Sequence, residues 1–202
     1  EDTITRITPV FTTLDPGVHI TKDGYVIGDS VRITPVRIVG TVGTLQTSTG
    51  TLAVIPHPDT VTATTTRLAT VSYSIYDSTS SSNVSGPMTI NVSNRALAPT
   101  GNGGVQAVSV RYAIAYQPAT IDGSPAAVLQ KSTVRSVADT TDGSGNASHT
   151  VRIRAPKLAS SAPDSVVVLV TARFAGTEIP GSPIRFVVPI QAPATKSGNR
   201  GQ

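Results

Sequence analysis

The chain has 202 residues, of which Ser and Thr supply 50, Gly 17 and Pro 15, with no Cys and no Trp. Zero cysteines exclude a thiolate metal site, a thiol nucleophile and a disulfide scaffold, and no apolar run approaches the ~20 residues that span a bilayer as a helix. The formal charge of +4 is uneven, with six basic against seven acidic side chains in residues 1–100 and ten against five in residues 101–202.

The many β-branched residues and turn formers favour short strands over helices, and no window shows apolar positions at helical spacing behind a credible cap. No signal peptide opens the chain, so Glu1 is read as the start of a processed product, with a cytosolic origin as the alternative.

Residues 1–12 alternate enough around Ile4, Ile7 and Val10 to form a spare strand. Such an arm could pair with its own domain or with the open sheet edge of a neighbouring subunit. The turn signal Lys22-Asp23-Gly24 follows, and then period-two patterns at Ala69, Val71, Tyr73 and Ile75 and at Met88, Ile90 and Val92. Between them, Ser78 to Ser85 reads as a long flexible hairpin loop of the kind where sandwich domains place their contacts.

Arg95 to Gly104 is rich in Pro, Gly and Asn, lacks periodicity and reads as a linker. Beyond it Val108, Val110, Tyr112, Ile114 and Tyr116 share one strand face. Val151 and Ile153 repeat the pattern, as do Ile184, Phe186, Val188 and Ile190. Val166 to Val170 is apolar on both faces, which suits a central strand. Turn signals at Asp122-Gly123-Ser124 and Asp142-Gly143-Ser144-Gly145-Asn146 separate these runs, and residues 192–202 read as a polar tail.

Three short similarities recur in the same order. Ile27 to Ser30 resembles Ile121 to Ser124, the Ser48-Thr49-Gly50 turn resembles Gly143-Ser144-Gly145, and Ser85 to Val92 resembles Gly181 to Val188. Their offsets of 94 to 96 positions suggest a diverged tandem repeat. The expected organisation is therefore all-β, with two tandem immunoglobulin-like β-sandwich domains at 1–96 and 105–191, a linker at 97–104 and the tail after 191.

The second half resembles bacterial immunoglobulin-like domains of the invasin and intimin type. Thr140-Thr141-Asp142-Gly143-Ser144-Gly145-Asn146-Ala147-Ser148 matches that family's turn before a strand, and Val166 to Phe174 with Ile184 to Val188 matches its closing hairpin. Phe174 to Val188 also resembles the final hairpin of filamin repeats. The resemblance implies rods, stalks and adhesins outside the cell, and no catalytic residues.

Candidate sites are few, and each has a structural alternative. His19, His57 and His149 stand apart in sequence, and His149 shares the face of Val151 and Ile153, so a packed or hydrogen-bonded role is expected. Gly28-Asp29-Ser30 and Asp142-Gly143-Ser144 lack the elbow of a serine nucleophile and read as turns. Asp142, Ser144 and Asn146 occupy the first three ligand positions of a calcium loop, although Ile153 stands where a bidentate Glu is required.

Asn83, Asn91 and Asn146 begin N-x-S sequons and are candidate glycosylation sites. Arg152 and Arg154 alternate with Val151 and Ile153 as on a solvated strand face, and the aromatic interleaving of a single-strand nucleic-acid site is missing. The sequence therefore predicts no enzyme, no cofactor, no nucleic-acid partner and no membrane insertion.

The leading expectation is a structural or adhesive surface protein, an extracellular filament subunit that self-associates through strand edges or a donated terminal strand. The alternative is a virion component such as a capsid, decoration or tail protein. A carbohydrate-binding module is disfavoured, because it wants exposed aromatic platforms.

Overall fold

The computed structural model describes residues 9–30, 32–68, 71–72, 83–97, 103–130, 135–154, 158 and 164–191. The chain divides into two compact units, Glu1–His57 and Pro58–Gln202. Every element named below is a strand, as the β-branched composition predicts.

The first unit holds β1 (Val10–Thr13), β2 (Val18–Ile20), β3 (Val26–Gly28), β4 (Arg32–Val42) and β5 (Leu45–Val54). They form a three-stranded sheet in the order β1-β4-β5 and a two-stranded ribbon, β2-β3. β4 and β5 are joined through Gly43 at φ +60°, with Val42 opposite Leu45. A glycine at the first position of a two-residue loop matches the right-handed twist of a hairpin. The ribbon covers one end of the sheet, where Val18, Val36 and Ile38 are buried with Ile20 and Val54 beside them. The ribbon lies close enough that a Cβ on Gly28 would strike Val54.

The second unit is a single sandwich. Its strands are β6 (Thr60–Ala63), β7 (Val71–Ser72), β8 (Met88–Ser93), β9 (Ser109–Tyr116), β10 (Ala127–Leu129), β11 (Ser136–Thr140), β12 (Asn146–His149), β13 (Val151–Ile153), β14 (Asp164–Phe174), β15 (Thr177–Glu178) and β16 (Ile184–Gln191). One layer runs β6-β8-β12, and its last strand continues after Thr150 as β13, which pairs with β10. The other layer runs β11-β9-β14-β16-β7, with β15 against β14.

Read in chain order, β6, β8, β9, β10, β12 with β13, β14 and β16 take positions A to G of an immunoglobulin sandwich. A, B, E and D form one sheet, and C, F and G the other. β11 extends the C edge, and β7 runs parallel to β16 as a split first strand.

The core sits between these layers. Met88, Ile90 and Val92 face Val108, Val110, Tyr112, Val166, Val168, Val170, Phe186 and Val188, all with no solvent exposure. The alternating residues of β8, β9 and β16 are those picked out by period-two spacing, and β14, whose Val166 to Val170 run reads as apolar on both faces, is the central strand. Tyr116 departs from the pattern and is 48% exposed. The register between β9 and β14 shifts at Val167/Val168, so Tyr116 lies opposite Val167 while Ile114 lies opposite Val168. The residue between them, Ala115, is bulged, and the bulge turns Tyr116 out of the inward row.

The expected domain boundary at 97–104 is corrected. Ser93 bridges Gly104, the Asn94 amide donates to the Gly103 carbonyl and the Val105 amide to Val92 O. Gly104 and Gly145 lie backbone against backbone, since a Cβ on either would meet main-chain atoms of the other's segment at under 3.0 Å. The glycines there serve close packing inside the sandwich.

Residues 58–96, expected in the first domain, supply strands of the second unit, and the supposed repeats do not mark equivalent strands. β8 and β16, the best-matched pair, lie in opposite layers of one sandwich. They look alike because both are inward-alternating strands led in by Gly, Ser and Pro.

Candidate functional site

The turn that carries the sequence motif is built around Asp142. Its Oδ1 accepts the amides of Ser144 (2.8 Å) and Asn146 (2.9 Å), and its carbonyl accepts the Gly145 amide. Thr141 beside it is buried. Its hydroxyl donates to Val105 O (2.6 Å) and accepts the Val108 amide (3.0 Å), tying the turn to the segment that enters β9. Of the three calcium-candidate residues, Asp142 spends an oxygen on the turn, and the Asn146 Oδ1 accepts from Asn91 Nδ2 at 3.0 Å. Among the described residues no group of three or more His, Asp or Glu gathers to hold a metal.

The sequon asparagines are placed differently from expectation. Asn83 is fully buried, not on a surface loop, so no glycan fits there without unpacking the segment. Its neighbour Ser85 explains the burial: Ser85 N–H donates to Val151 O, and Ser85 Oγ accepts the Val151 amide. Residues 83–85 of the supposed flexible loop thus add to the edge of β13, while residues 78–82 lie outside the described residues. Asn91 and Asn146 face each other across β8 and β12, and Asn91 Nδ2 also donates to Ser144 O. This pair holds the strand register and the turn together.

Two of the histidines lie within hydrogen-bond distance of a carboxylate. His19 Nδ1 lies 2.7 Å from Asp29 Oδ1, with both side chains about half exposed. His57 is exposed at the end of the first unit. His149 is the packed histidine that its strand position predicts. Its Nε2 lies 3.1 Å from Asp139 Oδ2, its ring meets the edge of Tyr112 at 4.7 Å, and the Tyr112 hydroxyl donates to Met88 O.

Asp139 and Tyr112 belong to one layer and His149 and Met88 to the other, so these contacts join the two sheets. Burial, with the charge of Asp139 adding, raises the Tyr112 phenol well above its usual range. Tyr116 is also raised, because its hydroxyl donates to the Asp164 carboxylate. In each case the neutral phenol is the form that the surroundings favour.

The turn readings of Gly28-Asp29-Ser30 and Asp142-Gly143-Ser144 agree with the backbone. The amides of Asp29 and Ser30 both donate to Gly17 O.

Of the proposed assembly strand, Ile4 and Ile7 lie outside the described residues, and Val10 opens β1 opposite Thr41 of its own unit. β4 offers only Val42 beyond Thr41 before the hairpin turn. The more open feature is one that periodicity missed. Within its unit β5 pairs with β4 alone among the described residues, leaving a ten-residue edge. Leu45 is 76% exposed at one end of that strand, and Leu52 is exposed near the other. Val10, Phe11, Leu14, Tyr25, Val26 and Ile27 of the same unit are exposed as well. An open edge lined with apolar side chains is a template for strand addition.

No protein-family model matches the chain, and comparison with curated proteins returns no match. Among solved structures the chain is similar to the adhesin InvE of Yersinia pseudotuberculosis, at 14% identity and a TM-score of 0.45. That match covers 93% of this chain and 49% of the other, so the chain spans about half the length of the adhesin. Domains 4 and 5 of the S-layer protein SbsC match at 13% identity and a TM-score of 0.36, covering 92% and 70%. Cadherin-like domains 1 to 4 of zebrafish RET match at 9% identity and 0.29, covering 92% and 40%. The immunoglobulin-like assignment of the second unit rests on its own strand order.

Proposed function

We propose that this chain is a non-enzymatic structural or adhesive module of a cell surface, which self-associates by adding a strand to the open edge of β5. The observation that carries the proposal is that ten-residue edge with Leu45 and Leu52 exposed along it. Main-chain hydrogen bonds give such an addition its affinity, and alternate side chains give it register. The donor is the segment before Pro9, whose Thr3-Ile4-Thr5-Arg6-Ile7-Thr8 is rich in strand formers.

Sedimentation velocity on the full chain is expected to show concentration-dependent association. The same chain without residues 1–8 should stay folded and monomeric. Deletion should stop there, because residues 10–13 pair with β4. Replacing Leu45 and Leu52 by Lys should also give a folded monomer, since a charged edge resists pairing. A full-length chain that remains monomeric at high concentration overturns the proposal.

A further inference from the structure

The outward face of the β11-β9-β14-β16 sheet carries a charge pattern that the sandwich core does not need. Register places Arg111 of β9 opposite Thr171 of β14, and Arg185 of β16 opposite Leu169 of β14. Arg173 of β14 lies opposite Ser109. All three arginines are exposed and belong to three adjacent strands. From strand spacing and rise their Cα atoms form a triangle with sides of roughly 8–14 Å.

The positions between and beside them are Ser109, Ala113, Leu169 and Thr171, with Ser136 and Ala138 of β11 next to β9. None of these is acidic, and Asp139 on β11 faces inward to His149. Arg111 Nε donates to Ser136 Oγ (2.8 Å), which orients the guanidinium without neutralising it. Arg173 is held by Glu178 at 2.8 Å with both side chains about half exposed. Such an exposed pair is worth little and gives way readily to a stronger anion. Arg185 has no side-chain partner among the described residues.

We infer that this face binds an acidic polysaccharide bearing sulfate or carboxylate groups. Guanidinium forks recognise these groups by paired hydrogen bonds, and small residues between them leave a flat bed across which an extended polymer can lie. The face carries one exposed aromatic, Tyr116, whose hydroxyl is tied to Asp164, and among the described residues no interleaved row of aromatics on which successive bases could stack, so it favours glycan over single-stranded nucleic acid. The excess of basic residues after position 100 adds long-range attraction that salt will screen. The inference uses only the second unit's sheet and is independent of strand addition at β5.

Binding of the full chain to immobilised heparin, a sulfated polysaccharide, tests it. Wild type should bind and be released by salt. The double variant R111A/R185A should bind about tenfold more weakly or worse, as loss of two charge-assisted contacts requires. R37A, which removes an exposed arginine of the first unit, should bind as wild type. The inference is overturned if wild type does not bind at low salt, if R111A/R185A and R37A lose affinity equally, or if single-stranded DNA binds as tightly as heparin. Running the same comparison on the chain lacking residues 1–8 separates this outcome from the fate of the assembly proposal.

Discussion

The two units solve the same problem with very different amounts of core. Among the described residues the second unit buries 26 apolar side chains and the first only three, Val18, Val36 and Ile38. The first unit nevertheless holds eight of the eleven large apolar residues that are exposed among those described, including Leu14 at 93%. A unit of 57 residues cannot bury the fraction of its surface that one of 145 can. Its β4-β5 hairpin is long, but the β2-β3 ribbon covers only one end of the sheet. The difference teaches that apolar content alone does not make a core: what matters is a second layer wide enough to cover the first. It also places the long β5 edge and most of the exposed large apolar residues among those described in the unit with the weaker core.

The largest expected effect that would break this comparison comes from the larger core. Phe186→Ala, at a site with no exposure between two layers, should cost about 3–5 kcal/mol by chemical denaturation. Hydrogen exchange in β4 and β5 should be unchanged if the units are energetically separate. Ile38→Ala should cost about 2–4 kcal/mol, enough to unfold the first unit outright. Fast exchange of the β4 and β5 amides with protected amides in β9 and β14 is the expected pattern. Loss of protection in both units together would show that they do not fold separately.

Asp142→Ala removes the acceptor of two turn amides and should destabilise the second unit by about 1–2 kcal/mol. Addition of calcium to the wild-type chain should not raise the stability of the second unit, because the Asp142 Oδ1 is engaged by the turn amides.

The smallest effect concerns pH. The folded-state pKa of Tyr112 is raised above the unfolded value near ~10, so its contribution is complete below that pH and is lost as pH rises through and beyond it. Tyr112→Phe should flatten this alkaline loss of the second unit. It should also cost about 1 kcal/mol at neutral pH, through the bond to Met88 O.

Period-two spacing was enough to identify β8, β9 and β16 and, Tyr116 apart, the inward rows on them, because a half-buried strand writes its burial directly into alternate residues, while β14 was legible as a run apolar on both faces. The Asp142 turn was legible for the same local reason. The domain boundary was not, because a glycine-rich linker and a glycine-rich close approach have the same composition. Only Gly104 against the 144–145 backbone distinguishes them. Asn83 looked like a loop residue because its burial depends on a partner strand 68 positions away, as the Val84 to Arg152 bridge shows.

Sequence by itself therefore determined the β class, the alternating core and the turns, all of which follow from interactions over a few residues. Tertiary structure decided which strands share a sheet, where one unit ends, which edge stays open and which arginines stand together. Those depend on register between distant strands, and a bulge of one residue, as at Ala115, is enough to turn a side chain from the core to solvent.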